Sequence, residues 1–182
     1  MAEKKKSRPY VNNKEFLQKM IEYRDSIANA EKNGDPRPRV PTYIGSCIMK
    51  IATHLSHKPN FINYTFREEM ISDGIENCLQ YIDNFNPQKS DNPFAYFTQI
   101  IYFAFIRRIQ KEKKHLYTKY KLSENANVFD MTSEKQAGDN KSYDDGIKYG
   151  EWSQEYMNDF ITTFEENKRK KRVRKTVDEA MK

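Results

Sequence analysis

The sequence predicts an all-α protein. Apolar residues recur at three- and four-residue intervals through most of the first two thirds, only six glycines occur in 182 residues, and regular strand-type alternation is hard to find. The helices can be read in chain order from their inner stripes and their ends. A first helix starts near Asn12 or Asn13, either of which can cap exposed amides, carries Phe16, Leu17, Met20, Ile21 and Ile27 inward, and ends before Gly34. The three prolines of GDPRPRVP cannot continue it, so a second helix begins at Thr42, with Ile44, Ile48, Ile51 and Leu55 facing inward, and HKPNFINY breaks it.

A third helix has a start signal in Thr65 and Glu68, which have the spacing of a capping box, with Thr65 as the cap. Ile71, Ile75, Cys78 and Ile82 fall on one face and Glu69, Asp73, Glu76 and Gln80 on another, so one side is core and one is available. Asn84, Asn86 and Pro87 end it. Asn92 and Pro93 then restart the chain as N-cap and first-turn proline of a fourth helix that runs to about Tyr120.

Beyond Leu122 the sequence loses apolar periodicity and reads as a linker rich in Asn, Asp, Ser and Gly. Trp152, Tyr156, Phe160 and Phe164 then recur every four residues as a short amphipathic helix, and KRKKRVRK follows as a block of positive charge. The organisation expected is a basic tail over 1–11, a helical domain over 12–122, a flexible linker over 123–150, and an amphipathic helix with a basic tail over 151–182.

Composition narrows the function. With 37% hydrophobic and 32% charged residues and a mean hydropathy of -0.99, the chain holds one modest core and much solvated surface. A net charge of +6 and a pI near 9.1 point to an anionic partner such as nucleic acid, the bland alternative being a mildly basic soluble protein. No stretch nears the ~18–20 apolar residues of a membrane span, and no apolar signal core follows the basic N-terminus, so a cytoplasmic protein is expected. Cys47 and Cys78, and His54, His57 and His115, lack partners at ligand spacing, so neither metal nor cofactor is expected. Without a Gly-rich phosphate loop, nucleophile elbow or paired catalytic carboxylates, no enzyme and no small-molecule substrate is expected.

Two segments carry the chemistry. Between Phe94 and Ile106 only Thr98 and Gln99 are polar, so rings must point outward as well as inward; outward rings can stack on unpaired bases, and Arg107, Arg108, Lys111, Lys113 and Lys114 can neutralise the adjoining phosphates. The competing reading is a central helix wrapped by the others, with cations suited to a helix end. The acidic face of the third helix suits a basic protein surface.

EEMISDGIENCLQYIDNFNP is similar to the segment of bacterial sigma factors that docks on the clamp helices of RNA polymerase, and PFAYFTQIIYFAFIRRI resembles the adjoining promoter-melting and −10 recognition helix. PYVNNKEFLQ, ISDGIE and NPFAYFTQ most resemble the late-transcription sigma factors of T-even-type bacteriophages. The resemblance covers roughly Tyr10 to Lys114 and implies a sigma region-2-like helical domain in the cytoplasm of the bacterial host. It places Glu69, Ser72, Asp73, Ile75, Glu76 and Leu79 against the host core RNA polymerase clamp. It assigns promoter DNA binding and melting to Tyr96, Thr98, Gln99, Ile100, Phe103, Arg107, Arg108, Lys111 and Lys114, with Tyr96 matching the aromatic that stacks where the flipped −11 adenine leaves the helix. Gln99 and Ile100 stand where ordinary sigma factors carry a tryptophan pair, so the wedge is weaker, and Phe103 and Ile106 replace polar residues that read the −12 pair.

No segment resembles the −35-reading helix-turn-helix domain, so promoter choice would rest on an AT-rich −10-like late element. The resemblance also implies a phage coactivator and a DNA sliding clamp as partners. The nearest candidate for a clamp-binding peptide is EYMNDFITTFEE, with Tyr156, Phe160, Ile161 and Phe164; the alternative is an amphipathic helix that docks on its own domain or on polymerase. The basic block either grips upstream DNA or is a solvated tail. Two further readings remain open: a helical nucleic-acid-binding regulator that works without polymerase, and a polymerase-binding inhibitor without initiation activity.

Overall fold

The computed structural model describes residues 9–125 and 143–180. These form five α-helices, α1 (Asn13–Asn33), α2 (Thr42–Ser56), α3 (Arg67–Gln80), α4 (Pro93–Asn125) and α5 (Tyr143–Ala180), with a 3-10 turn at Ile82–Asn84 and no strand among the described residues. The all-α class is therefore what the sequence predicts. The chain divides into two compact units between Ile109 and Gln110, and α4 runs through the division.

In the first unit each helix end is closed by the chemistry of its own residues. Asn12 caps α1 by accepting from the Glu15 amide at 3.5 Å, and Val11 before it is buried in the same cluster as Phe16, the placement of a hydrophobic staple. Residues 9–11 are thus not all tail, since Val11 belongs to the core. At the other end Gly34 sits at φ 72° and the Asp35 amide donates to the Ala30 carbonyl at 2.9 Å, a Schellman closure that only a residue without Cβ adopts cheaply.

α2 buries the predicted Ile44, Ile48, Ile51 and Leu55, together with Cys47 and Ala52. α4 opens with Asn92 accepting from the Ala95 amide at 3.0 Å. Its next orphan donor, the Phe94 amide, is met by Oδ1 of Asn13 at 3.1 Å, so one side chain ties the starts of α1 and α4 together. Aromatic rings fill the space between helices: Phe16 stacks on Phe97 at 5.5 Å, and Phe61, from the α2–α3 connection, meets Phe105 edge-on at 5.2 Å.

α3 corrects the sequence reading in two ways. The helix begins at Arg67 after Phe66, and no capping box forms at Thr65. Tyr64 and Phe66 pack their rings together at 5.1 Å and Phe66 lies against the core, which fixes the entry angle one residue later than the polar signal suggests. The buried row is Met70, Gly74 and Cys78, continuing to Ile82, while Ile71 and Ile75 flank it half-buried. Gly74 explains the rotation: a Cβ there would lie 3.1 Å from both Ile101 Cγ2 and Phe105 Cε1, so the absent side chain makes room for α4.

In the second unit, α4 continues to Asn125, past the predicted end near Tyr120, and α5 occupies 143–180. The linker expected over 123–150 is therefore helical at both ends, and residues 126–142 lie outside the described ones. The stripe on α5 is Met157, Phe160, Ile161 and Phe164, with Met157 and Ile161 buried and Tyr156 63% exposed. An all-aromatic reading is one residue out of phase because the two aliphatic residues centre the stripe; the Trp152 side chain lies outside the described ones. Tyr117 stacks on Phe164 at 4.5 Å, Tyr120 meets Phe160 at 5.5 Å, and the Tyr117 hydroxyl donates to Glu165 at 2.8 Å, so this helix packs on the end of α4.

Replacing Gly74 with leucine forces α3 and α4 apart and is expected to cost about 2 kcal/mol or more in denaturant unfolding, against about 1 kcal/mol for Gly34→Ala, whose strain is local. Both cysteines are buried, and burial pushes the Cys78 thiol up to about 12. At pH 8 neither thiol of the folded protein should react promptly with a chromogenic disulfide, whereas denaturant should release both. Because the folded value lies above the unfolded value of about 8.5, the Cys78 contribution to stability is full below pH ~8.5 and is lost as pH rises towards 12.

Candidate nucleic-acid and protein interface

α3 and the first half of α4 form an antiparallel pair, as their contacts run in opposite order. The Tyr96 hydroxyl donates to the Tyr81 carbonyl at 3.0 Å, Cys78 Sγ lies 3.9 Å from the Phe97 carbonyl, Gly74 faces Ile101 and Phe105, and Asp73 meets Arg108 at 3.3 Å. The pair carries two chemically different surfaces.

On α3, Glu69, Ser72 and Glu76 are exposed, and Leu79 is 43% exposed. With Asp73 they recur at the three- and four-residue spacing of a single helix face. Ile75 stands at the edge of that face, half-buried against the core. Asp73 is half-buried and paired with Arg108, so it joins the face only in part.

On α4 the predicted DNA residues divide between two edges. Tyr96, Ile100 and Arg107 lie along the edge that meets α3. Tyr96 is half-buried, packs against Phe85 at 5.3 Å and Phe97 at 5.1 Å, and has its phenol pushed up by burial, with Cys78 adding a smaller push. Arg107 donates to the Asn77 side chain at 2.6 Å, and Asn77 also donates to the Asp73 carbonyl at 2.6 Å. Both arginines expected on phosphates are thus held by α3.

Thr98, Gln99 and Phe103 line a shallow groove of about 630 Å³ on the other side, together with Tyr102 and with Leu55 and Lys58 from the end of α2. Phe103 is 49% and Tyr102 41% exposed; the two rings meet edge-on at 5.7 Å, and Tyr102 in turn leans on the buried Phe61 at 5.7 Å. Aromatic surface held this way is organised before any ligand arrives. Thr98 spends its hydroxyl on the Phe94 carbonyl at 2.6 Å, whereas Gln99 is exposed. The sequence reading missed Tyr102 and Lys58; the signal for Tyr102 was its place in an apolar run wider than one buried stripe, but none pointed to Lys58.

Lys111 and Lys114 are exposed on the continuation of α4, in the second unit. There Phe160, Ile161 and Phe164 are engaged by packing within that unit, so of the four residues expected to meet a sliding clamp only Tyr156 is well exposed. Among the described residues no group of three His, Cys, Asp or Glu comes together to hold a metal, and no helix is long and apolar enough to cross a membrane. No known family model matches the chain, and no curated protein matches it.

The Asp73–Arg108 pair is partly shielded, at 34% and 20% side-chain exposure. Its removal by Asp73→Ala is expected to cost about 1 kcal/mol in denaturant unfolding, and the loss in Arg108→Met is expected to be similar or smaller because the added apolar contact compensates.

Proposed function

We propose that the chain is a sigma-type transcription initiation factor of a bacteriophage, which docks on host core RNA polymerase through α3 and engages an AT-rich −10-like late promoter element through α4. The observation that carries the reading is the pairing, on two antiparallel helices, of an exposed acidic face bearing Glu69, Ser72 and Glu76 with an exposed ring pair at Tyr102 and Phe103. A polymerase-binding inhibitor needs only the first surface, and a free-standing nucleic-acid regulator only the second. The resemblance of both segments to the sigma clamp-docking and melting helices, in the same order, supports the same conclusion.

The factor contributes no covalent chemistry. It selects and holds unpaired DNA while polymerase makes the bonds, and it works in the bacterial cytoplasm. In this reading the contact with bases shifts from Tyr96, whose ring and hydroxyl are engaged by Phe85 and Tyr81, to Tyr102, Phe103 and Gln99. A phage coactivator and a sliding clamp complete the assembly, the clamp reached through the region around Tyr156.

Sigma-free bacterial core polymerase plus this protein, on a supercoiled template carrying only an AT-rich −10-like element, is expected to give transcripts with a defined start. Phe103→Ala should retain polymerase binding and lower transcript yield by about 5- to 150-fold, the loss of one base stack worth ~1–3 kcal/mol. The double change Glu69→Lys and Glu76→Lys should abolish polymerase binding. Polymerase binding with no transcript, even from a pre-opened template, would select the inhibitor instead.

A further inference from the structure

We infer that the basic run of α5 is a binding surface for the phosphate backbone of duplex DNA. The inference deepens the proposed function, on which its DNA partner rests, but it concerns a surface in the second unit that the −10 reading does not use.

The argument begins with where the positive charge resides. Between Pro9 and Ile109 the sequence has twelve Lys and Arg against eleven Asp and Glu, so that stretch, which bears the candidate promoter surface, is nearly neutral, and only the N-terminal Lys4, Lys5, Lys6 and Arg8, against Glu3, bring the whole unit to +4. Within it Arg107 and Arg108 are already engaged by Asn77 and Asp73. Residues 168–175 carry seven Lys and Arg in eight positions, more than the whole chain's net +6. Without that run the chain would be slightly acidic. It is the largest block of positive charge in the chain.

The run is also presented for contact. The side chains of 168–174 are all exposed, and they stand on α5, which is anchored upstream by Met157, Phe160, Ile161 and Phe164. Pairing does not take Lys170 out of solvent: it reaches Glu166 at 3.4 Å with 63% of its side chain still exposed. Cations three and four residues apart repel one another along the helix, and a row of phosphates converts that repulsion into attraction while releasing the counterions condensed on the DNA. The run contains no aromatic residue, so it has nothing on which to stack unpaired bases; Val173 is its one apolar side chain. That chemistry favours a duplex over a single strand, without preference for sequence.

The test uses the full chain and a fluorescent duplex of roughly 20 bp lacking any −10-like sequence, with affinity followed by anisotropy from low to moderate salt. The wild type is expected to bind at low salt with log affinity falling steeply against log salt. A variant carrying Lys168→Gln, Arg169→Gln, Lys171→Gln and Arg174→Gln should bind at least about tenfold more weakly at low salt, with a slope shallower by about 3 to 4, at ~0.9 per phosphate contact. The charge-keeping variant Lys168→Arg, Lys171→Arg should match the wild type. The surface is overturned if the wild type does not bind, if the glutamine variant keeps affinity and slope, if only Lys111→Gln with Lys114→Gln causes the loss, or if single-stranded DNA is preferred. Since neither polymerase nor promoter is present, such a failure leaves the initiation reading standing. Loss of transcription with duplex binding intact would overturn that reading alone.

Discussion

The close approach at Gly74 is the constraint on which the first unit depends. Two helices normally keep 8–10 Å between their axes because side chains stand between them. Here one helix removes its side chain at the point of contact and the other fills the space with Ile101 and Phe105. That contact sets the rotation of α3, which sends Met70, Cys78 and Ile82 inward and leaves Glu69, Ser72 and Glu76 outside. It sets the rotation of α4 as well: with Phe97, Ile101 and Phe105 committed to the interior, Tyr102 and Phe103 have nowhere to go but out.

The aromatic residues thus serve two purposes, which on α4 are separated by the face of the helix on which each ring stands. Phe16, Phe61, Phe97 and Phe105 are fully buried and give a small unit an interior of large, rigid rings. Tyr102 meets that interior through Phe61, and Phe103 meets Tyr102. Exposed rings in contact with one another are less costly to leave in water than isolated ones, and they lose little freedom on binding because their neighbours already restrict them.

What the sequence made legible was whatever repeats or punctuates. The inner row of α2, the Asn12 and Asn92 caps, and the Gly34 stop all follow from local rules, and each stands where those rules place it. The misses share a cause, which is that tertiary contacts outvote local signals. Thr65 and Glu68 have capping-box spacing, yet the packing of Phe66 moves the start of α3 past them. A glycine in mid-helix reads as a weakness, and its use as a contact surface appears only when α4 is beside it. Arg107 and Arg108 read as free cations because their partners, Asn77 and Asp73, are 30 and 35 residues away. On α5 the even spacing of four aromatics masked the aliphatic pair Met157 and Ile161.

The cross-helix bonds of Arg107 and Arg108 carry a thermodynamic consequence. Asp73 and Asn77 belong to α3, whereas the two guanidinium groups belong to α4, so neither helix can be titrated with a competing ligand without altering what the other has to offer. A cation that captures Asp73 raises the affinity of Arg108 for an anion, and by reciprocity an anion on Arg108 raises the affinity of Asp73 for that cation by the same factor. The hairpin is in that sense a two-sided balance. Its polar seam couples what its two faces can bind.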